Sequence, residues 1–547
     1  MIPDEKKCMP WTLPPLRSEP KEAAASEHFH YQRGTHEGYV PLEPHVSKPL
    51  SLRKRLCIFA GGASLLVAAV LLTGFGECPM HRGAPLTETT LATDPATIKA
   101  VRTLLAAASN DSNTVAWERL AEMTDLYGNR MTASKAYDQS VDWVVHTANK
   151  QDSGLRAYTE PVWVNEWKRN SESLRLFMPT RAGGSVSLGL LGLGNSVGTP
   201  PDGVEADVIP VHSFEELAQL GNATVAGKVV LFNFPFTGYD GTTVRFRSRG
   251  AVEAEKYGAS AVLVRTLAPD TSFHSVHTGS SVRAGIPAAS ISLADANLIE
   301  RMYERAQKNA SLDHVLPRVK LVMNAKLREN AKQSSNVIID LKGSERPEEI
   351  VLLSGHFDSW DVGVGAMDDG AGAFLAWEAA RLIAATGRVP KRTVRVVMWN
   401  NEETLQRGSN GYFEQHRDQI KNHKFAVESD IGVFEPWGLL VKADHELTCR
   451  LQNYGTDLLG DLGAGNITAF DMDPGADISI LCQHGVPCAG FLSVNPENGA
   501  AFGQPQWEDH YFRHHHASSD RIEIIDKHQL RRSAAALAAW AYLVADQ

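Results

Sequence analysis

Residues 356–516 carry histidines and carboxylates in an order that suits metal chemistry. They are His356 in SGHFDSWD, Asp368 in GAMDDGAG, the pair Glu402–Glu403 in WNNEE, Asp430 in VESDIG and His516 in YFRHHHASSD. Imidazole and carboxylate donors mixed in this way suit zinc, and one carboxylate can bridge two ions about 3.5–4 Å apart. His356 and Asp358 stand two apart, on one side of an extended segment. His356 can ligate through a ring nitrogen while Asp358 accepts a hydrogen bond or proton and orients its neighbours. Asp368 and Asp369 open a helix, where the dipole favours carboxylates and where an Asp is otherwise a plain N-cap. Glu402 and Glu403 follow the strand TVRVVMW. Adjacent side chains diverge there, so one can bind metal while the other takes a proton from an attacking water. Asp430 ends the strand FAVES, a place where a lone Asp commonly serves a turn. Any of His514, His515 and His516 could supply the last imidazole. Each element is ordinary alone; the conjunction is informative.

These residues need elements to hold them at one place. EIVLLSGH, TVRVVMWN and FAVESDIGVF read as strands, with AGAFLAWEAARLIAAT a helix between the first two. Alternating strands and helices imply βαβ units, and in open α/β sheets sites gather beyond the strand ends. The expected fold class is therefore α/β: a mixed, mostly parallel sheet with flanking helices. Upstream, ATIKAVRTLLAAA, WERLAEMTDLYG and ASKAYDQSVDWVVHTANKQ have helical spacing, and LRAYTEPVWVNEW and SLRLFMP alternate as strands. GGSVSLGLLGLGNSVGTPPDG then changes the composition, and 190–315 repeats short strands and helices without a ligand cluster, as an inserted domain would. PRVKLVMNAKL and NVIIDLKGS read as the strands that follow it. Gly194–Gly198 fits the G-x-S-x-G serine-nucleophile turn, but Pro200–Pro201 follows where that turn needs a helix.

At 547 residues the chain exceeds one typical domain, and 43% apolar residues can bury a large core. A net charge of −10 without a basic stripe excludes a nucleic-acid surface. Six cysteines do not make a disulfide scaffold; Cys482 and Cys488 can either bond or remain buried thiols. Residues 56–75 are twenty without a charge, preceded by Arg53-Lys54-Arg55, so a transmembrane helix is expected with the tail inside. This makes 1–55 a disordered cytoplasmic tail, 56–76 a signal anchor and 77–93 a stalk. The chain is then a single-pass type II membrane protein with a lumenal or extracellular ectodomain, or a secreted one if the segment is cleaved. Sequons at Asn110, Asn222, Asn309 and Asn466 all follow the span, as glycosylation sites should. Tyr39-Val-Pro-Leu42 has the form of a sorting signal and equally that of a chance tetrapeptide.

SGHFDSWDVGVGAMDDGAGAF, the WNNEE glutamates, VESDIG and HHHASSD together resemble the di-zinc aminopeptidase and carboxypeptidase family over about residues 95–546. The resemblance implies a zinc exopeptidase fold in two parts, 94–189 and 316–547, around a protease-associated domain at 190–315. It also implies two zinc ions, a peptide substrate and a homodimer. By the family pattern Asp368 bridges the ions, with a cis peptide to Asp369. His356 and Asp430 complete one site, and Glu403 and His516 the other. Glu402 is the general base, with Asp358 behind the ligands. His516 is favoured over its neighbours because the family's ligand stands four residues before an Asp, here Asp520. The chain departs from the pattern at Leu405, where the family has glycine, and in SVNPENGAAFGQPQWEDH, which reads as an insertion. The expected activity is hydrolysis of dipeptides or short peptides, with two rivals: an aminopeptidase on longer peptides, or an inactive receptor-type ectodomain. The complete ligand set weighs against the last.

Overall fold

A computed structural model describes residues 94–308 and 315–547. The apolar stretch 56–75, Tyr39 and Asn309 lie outside these residues. Among the described residues no helix is long and apolar enough to cross a membrane. The sequons at Asn110, Asn222 and Asn466 are all exposed.

The described residues form two eight-stranded sheets. In the first, the spatial order is Arg156–Lys168, Lys326–Leu341, Arg392–Trp399, Arg346–His356, His423–Glu428, Cys488–Ser493, Pro436–Lys442 and Asn466–Ala469. Its four central strands, from Arg392–Trp399 to Cys488–Ser493, run parallel, and antiparallel pairs flank them. The expected mixed, mostly parallel sheet is present. Helix Ala371–Ala385 is apolar on nearly every side because it lies between this sheet and helix Lys527–Ala545, with Trp377 and Trp540 fully buried. On the other face, Ile338, Leu352, Val397, Trp399 and Ala426 build a second core. A disulfide joins Cys482 to Cys488 there.

The second sheet takes in more chain than 190–315. Its strands run from Glu172–Phe177 to Arg318–Met323, both outside that span and paired antiparallel with each other. PRVKLVMNAKL is therefore not one strand. It breaks after Met323, and Lys326 starts the sixteen-residue strand that absorbs NVIIDL into the first sheet. The chain leaves the first sheet at 169–171 and returns at 324–325, and these crossings are bonded together. Asn324 N–H donates to Ser171 O at 3.0 Å, and Asn170 Nδ2 donates to Asn324 O at 2.8 Å. Asn170 has φ 55°, a conformation Asn tolerates better than most residues.

The parallel register sets His356 beside Trp399 and Ser354 beside Glu428, so the ends of three neighbouring strands open at one level. Helix Ala371–Ala385 starts close against them, and only glycine permits this. A Cβ on Gly372 would lie 2.0 Å from Ser429 O and 2.4 Å from Asp369 Oδ1. Gly372→Ala is predicted to destabilise the protein by roughly 1–3 kcal/mol, as overpacking does. A thermal melt of the metal-free variant should show a Tm several degrees below that of the parent.

Candidate metal centre

The structure brings His356, Asp368, Glu403, Asp430 and His516 into one cluster, buried except for a half-buried Asp430. Asp368 lies at its middle. Asp368 Oδ1 is 3.2 Å from His356 Nε2, and Asp368 Oδ2 is 3.4 Å from His516 Nε2. His356 Nε2 is also 3.4 Å from Asp430 Oδ1, and His516 Nε2 is 2.9 Å from Glu403 Oε2. One central carboxylate thus stands between two imidazole–carboxylate pairs. Ligand atoms of His356, Asp368 and Glu403 fall within 4.8 Å of one another, as do those of Asp368, His515 and His516, and of His356, Asp369 and Asp430. This donor set, dry and rich in carboxylate, fits zinc.

The remaining expected residues divide. Asp358 faces away from the central carboxylate: its Oδ1 accepts the Glu402 N–H at 3.0 Å and its backbone oxygen accepts His356 Nδ1–H at 2.9 Å. That second bond leaves His356 Nε2 to face the cluster. Glu402 is 3% exposed, and its Oε1 has no hydrogen-bond partner. His514 turns aside to Ser519 Oγ at 3.0 Å, whereas His515 stacks on His516 with ring centroids 3.5 Å apart. The peptide between Asp368 and Asp369 is cis. Leu405 closes a one-turn helix, Glu402–Leu405, and the left-handed position falls on Gln406 at φ 51°. Ser196 is buried and accepts the Ala288 N–H at 2.8 Å, a structural contact with no catalytic partner in it.

Several residues that hold the site went unread in the sequence. Asp520 accepts N–H bonds from Ala366, Met367 and Asp368 at 3.0, 2.7 and 3.2 Å, fixing the loop that presents Asp368. The four-residue spacing from His516 marked Asp520, though not what it does. Arg130 is fully buried and donates to the backbone oxygens of Phe357, Val364 and Gly365 at 2.8, 2.6 and 2.7 Å. Nothing in GNRM signals this. Tyr511 O–H donates to Asp368 Oδ1 at 3.1 Å. Asp369 accepts from His356 N–H and Gly372 N–H, both at 3.1 Å, so it braces the strand end against the helix.

Crowded charge governs the electrostatics. Burial, and then Asp430, Asp358 and Asp368, push the Glu402 carboxyl well above its usual range. Burial and then Asp368 do the same to Glu403. Burial also lifts Asp358 to about 6, and Glu428 and Asp520 to about 7. Burial works against a charged His356 ring, yet Asp430 and Asp368 outweigh it and hold that ring well above normal. Burial similarly opposes ionisation of Asp368, but His515, His356 and His516 keep it well below the carboxylate range.

The cluster forms one end of a cleft enclosing about 160 Å³. Tyr239 and Val244 of the second sheet's domain close one side, and Leu440, Phe470 and Leu492 line another. The 495–510 loop folds over Trp507, whose Nε1–H donates to Ser493 O at 2.8 Å, and it sends Glu508 to the cleft.

A mixed α/β sheet with imidazoles, carboxylates and a free glutamate oxygen at the ends of its parallel strands defines a zinc metallopeptidase. The chain belongs to peptidase family M28, whose sequence model matches residues 336–541. It is 38% identical over 435 residues to carboxypeptidase Q of Xenopus laevis, covering 79% of this chain and 86% of that one. Against carboxypeptidase Q of Homo sapiens the identity is 36% over 435 residues, with 79% and 85% covered. Among solved structures, a peptidase M28 precursor from Shewanella amazonensis superposes with TM-score 0.73 at 28% identity, over 83% of this chain and 98% of that one. A zinc aminopeptidase from Bacillus subtilis shares the fold at TM-score 0.57 and 18% identity, over 79% and 94%.

With the metal chelated, the folded chain should lose stability as pH rises above about 6.5. Glu428 and Asp520 bind protons more tightly folded than unfolded, so their stabilisation is full below about pH 4 and lost as pH passes about 7. Below 6.5 the buried His277, lowered to about 4, and His515, lowered to about 3, oppose this trend. Above it these two carboxylates, on the order of 1 kcal/mol each, act in the same direction as the raised His356 ring. Melts from about pH 6.5 to about pH 9 should show a falling Tm in chelator and a flatter one in zinc. Equal slopes would contradict the assignment of these shifts.

Proposed function

We propose that this chain is a di-zinc exopeptidase hydrolysing dipeptides or short peptides. The observation that carries the reading is Asp368 standing between two ligand pairs while a glutamate beside them keeps an oxygen free. In this reading His356 and Asp430 would hold one ion, Glu403 and His516 the other, and Asp368 would be a ligand shared by both. Two zinc ions would supply Lewis acidity to the scissile carbonyl and to the attacking water.

The chain's own residues do the rest. Glu402, which lines the cleft and whose Oε1 has no hydrogen-bond partner, accepts the water's proton as attack on the carbonyl proceeds and returns it to the leaving amine. Asp358 holds Glu402 through its backbone N–H, so the base is placed by a carboxylate that itself stays clear of substrate. The closed sides of the cleft favour a short substrate, one terminus of which would meet the wall built by Tyr239 and the 495–510 loop. The same reading places the catalytic domain outside the cytoplasm, tethered through 56–75, in keeping with the exposed sequons.

Glu402→Gln is predicted to keep both zinc ions and lower kcat by about 10²–10⁴-fold, the range of a lost general base. Metal analysis alongside single-turnover assays would check this. Wild-type turnover with full zinc would remove Glu402 from the mechanism. A profile over dipeptides, tripeptides and amino-blocked peptides would separate a dipeptidase from an aminopeptidase on longer chains.

A further inference from the structure

The loop that carries His516 is held from the second sheet's domain as much as from its own. His516 is left-handed, at φ 58°, a region uncommon for residues other than glycine although His enters it more readily than most. Its backbone oxygen accepts the Thr278 N–H at 3.0 Å, and its ring Nδ1 lies 3.3 Å from Thr278 O. Two loops that are distant in sequence thus exchange a reciprocal pair of bonds. One residue back, His277 Nδ1 lies 2.6 Å from His515 O. A carbonyl can only accept, so Nδ1 of His277 carries the proton there. The other nitrogen, Nε2, is buried without a partner, which leaves the contact to His515 as the ring's one polar engagement.

Thr278 is itself anchored. Its Oγ1 donates to Gly192 O at 2.9 Å and accepts from Arg169 Nη2 at 3.2 Å. The same Arg169 nitrogen reaches Asp361 Oδ1 at 2.7 Å, in the loop just after His356. A continuous path of bonds therefore runs from the His356 loop through Arg169 and Thr278 to His516. Tyr239 adds a face to it, edge-on to His515 with centroids 4.9 Å apart.

We propose that His277 and Thr278 are positioning residues of the metal centre, through which the second sheet's domain sets the orientation and tautomer of His516. A histidine that ligates through Nε2 must hold its proton on Nδ1, and a fixed carbonyl facing Nδ1 selects that form. Thr278 O is that carbonyl. His277 secures the backbone one residue earlier, so the left-handed turn at His516 persists before metal arrives. The domain is then a working part of the peptidase site as well as a wall of its cleft.

This inference rests on His516 being a zinc ligand, and its test separates the two. Full-length protein would be loaded with zinc and its release to a chelating dye followed for His277→Phe, His277→Asn, Thr278→Val and His516→Ala. Phenylalanine keeps the ring's bulk and loses the donor; asparagine restores a donor near the Nδ1 position. The expected result is that His277→Phe releases one of its two zinc ions at least about tenfold more readily, the scale of losing an outer partner of a metal histidine. The other ion should be retained as in the parent, and His277→Asn should recover most of the difference. Thr278→Val, which keeps the shape and cuts the anchor to Gly192 and Arg169, should move in the same direction and serves if His277→Phe does not fold. Parent-like zinc release in both His277→Phe and Thr278→Val would overturn the proposal, as would His277→Asn behaving like His277→Phe. If His516→Ala also binds two zinc ions normally, it is the ligand assignment that fails.

Discussion

Negative charge packed into a dry place is the constraint around which this molecule is arranged. Asp358, Asp368, Asp369, Glu402, Glu403 and Glu428 are each no more than 4% exposed and sit near one another with a few imidazoles and the buried Arg130 guanidinium for relief. Such a group can be neutralised by protons or by cations, and a hydrolase at neutral pH needs the second. Most surrounding polar structure works to keep these oxygens apart and correctly aimed. Asp520 and Arg130 spend their hydrogen bonds on backbone, holding the 357–368 loop so that Asp368 cannot relax away from its neighbours. Glu428 is answered by N–H groups of Ala476, Asp477 and Ile478 at 2.7, 3.1 and 2.7 Å, which keeps it out of the ligand set.

The two sheets contribute differently. The first supplies a rigid edge, because parallel strands in register end at one level and a glycine lets the Ala371–Ala385 helix abut them. The second supplies loops: one carries Tyr239 into the cleft, another lays His277 and Thr278 against the last histidines. The paired crossings at 169–171 and 324–325 make this possible, since they fasten the second unit at the base while its loops reach the site.

Much of this was legible in the sequence, and the reasons differ by element. The strands ending at His356, Trp399 and Glu428 announce themselves as apolar runs followed by polar donors. The Asp368–Asp369 pair stands just ahead of the helix it was expected to open, the glutamate pair follows its strand, and the pairing of His356 with Asp430 and of Glu403 with His516 follows the family pattern. Arg130 was not legible, because it acts on backbone oxygens more than 200 positions away and any sequence can supply those. PRVKLVMNAKL alternates as one strand would, yet it is divided between the two sheets. Its break at Asn324–Ala325 depends on Ser171, which no local pattern connects to it. His515 was one of three equivalent histidines by sequence, and the structure sets it against the site by stacking it on His516.

The order of these residues along the chain has a bearing on synthesis. Arg130 comes first, the loops of the second sheet next, His356 to Asp430 later, and His516 and Asp520 last. A nascent polypeptide therefore has most of its carboxylates out of the ribosome before the residue that completes the second imidazole–carboxylate pair has been made. Until the 511–520 segment emerges, Asp368 lacks His516, Tyr511 and the carboxylate that orders its own loop. The peptidase centre is thus finished only once the 511–520 segment has been made, and a molecule without that segment carries the scaffold of the site without its closing piece.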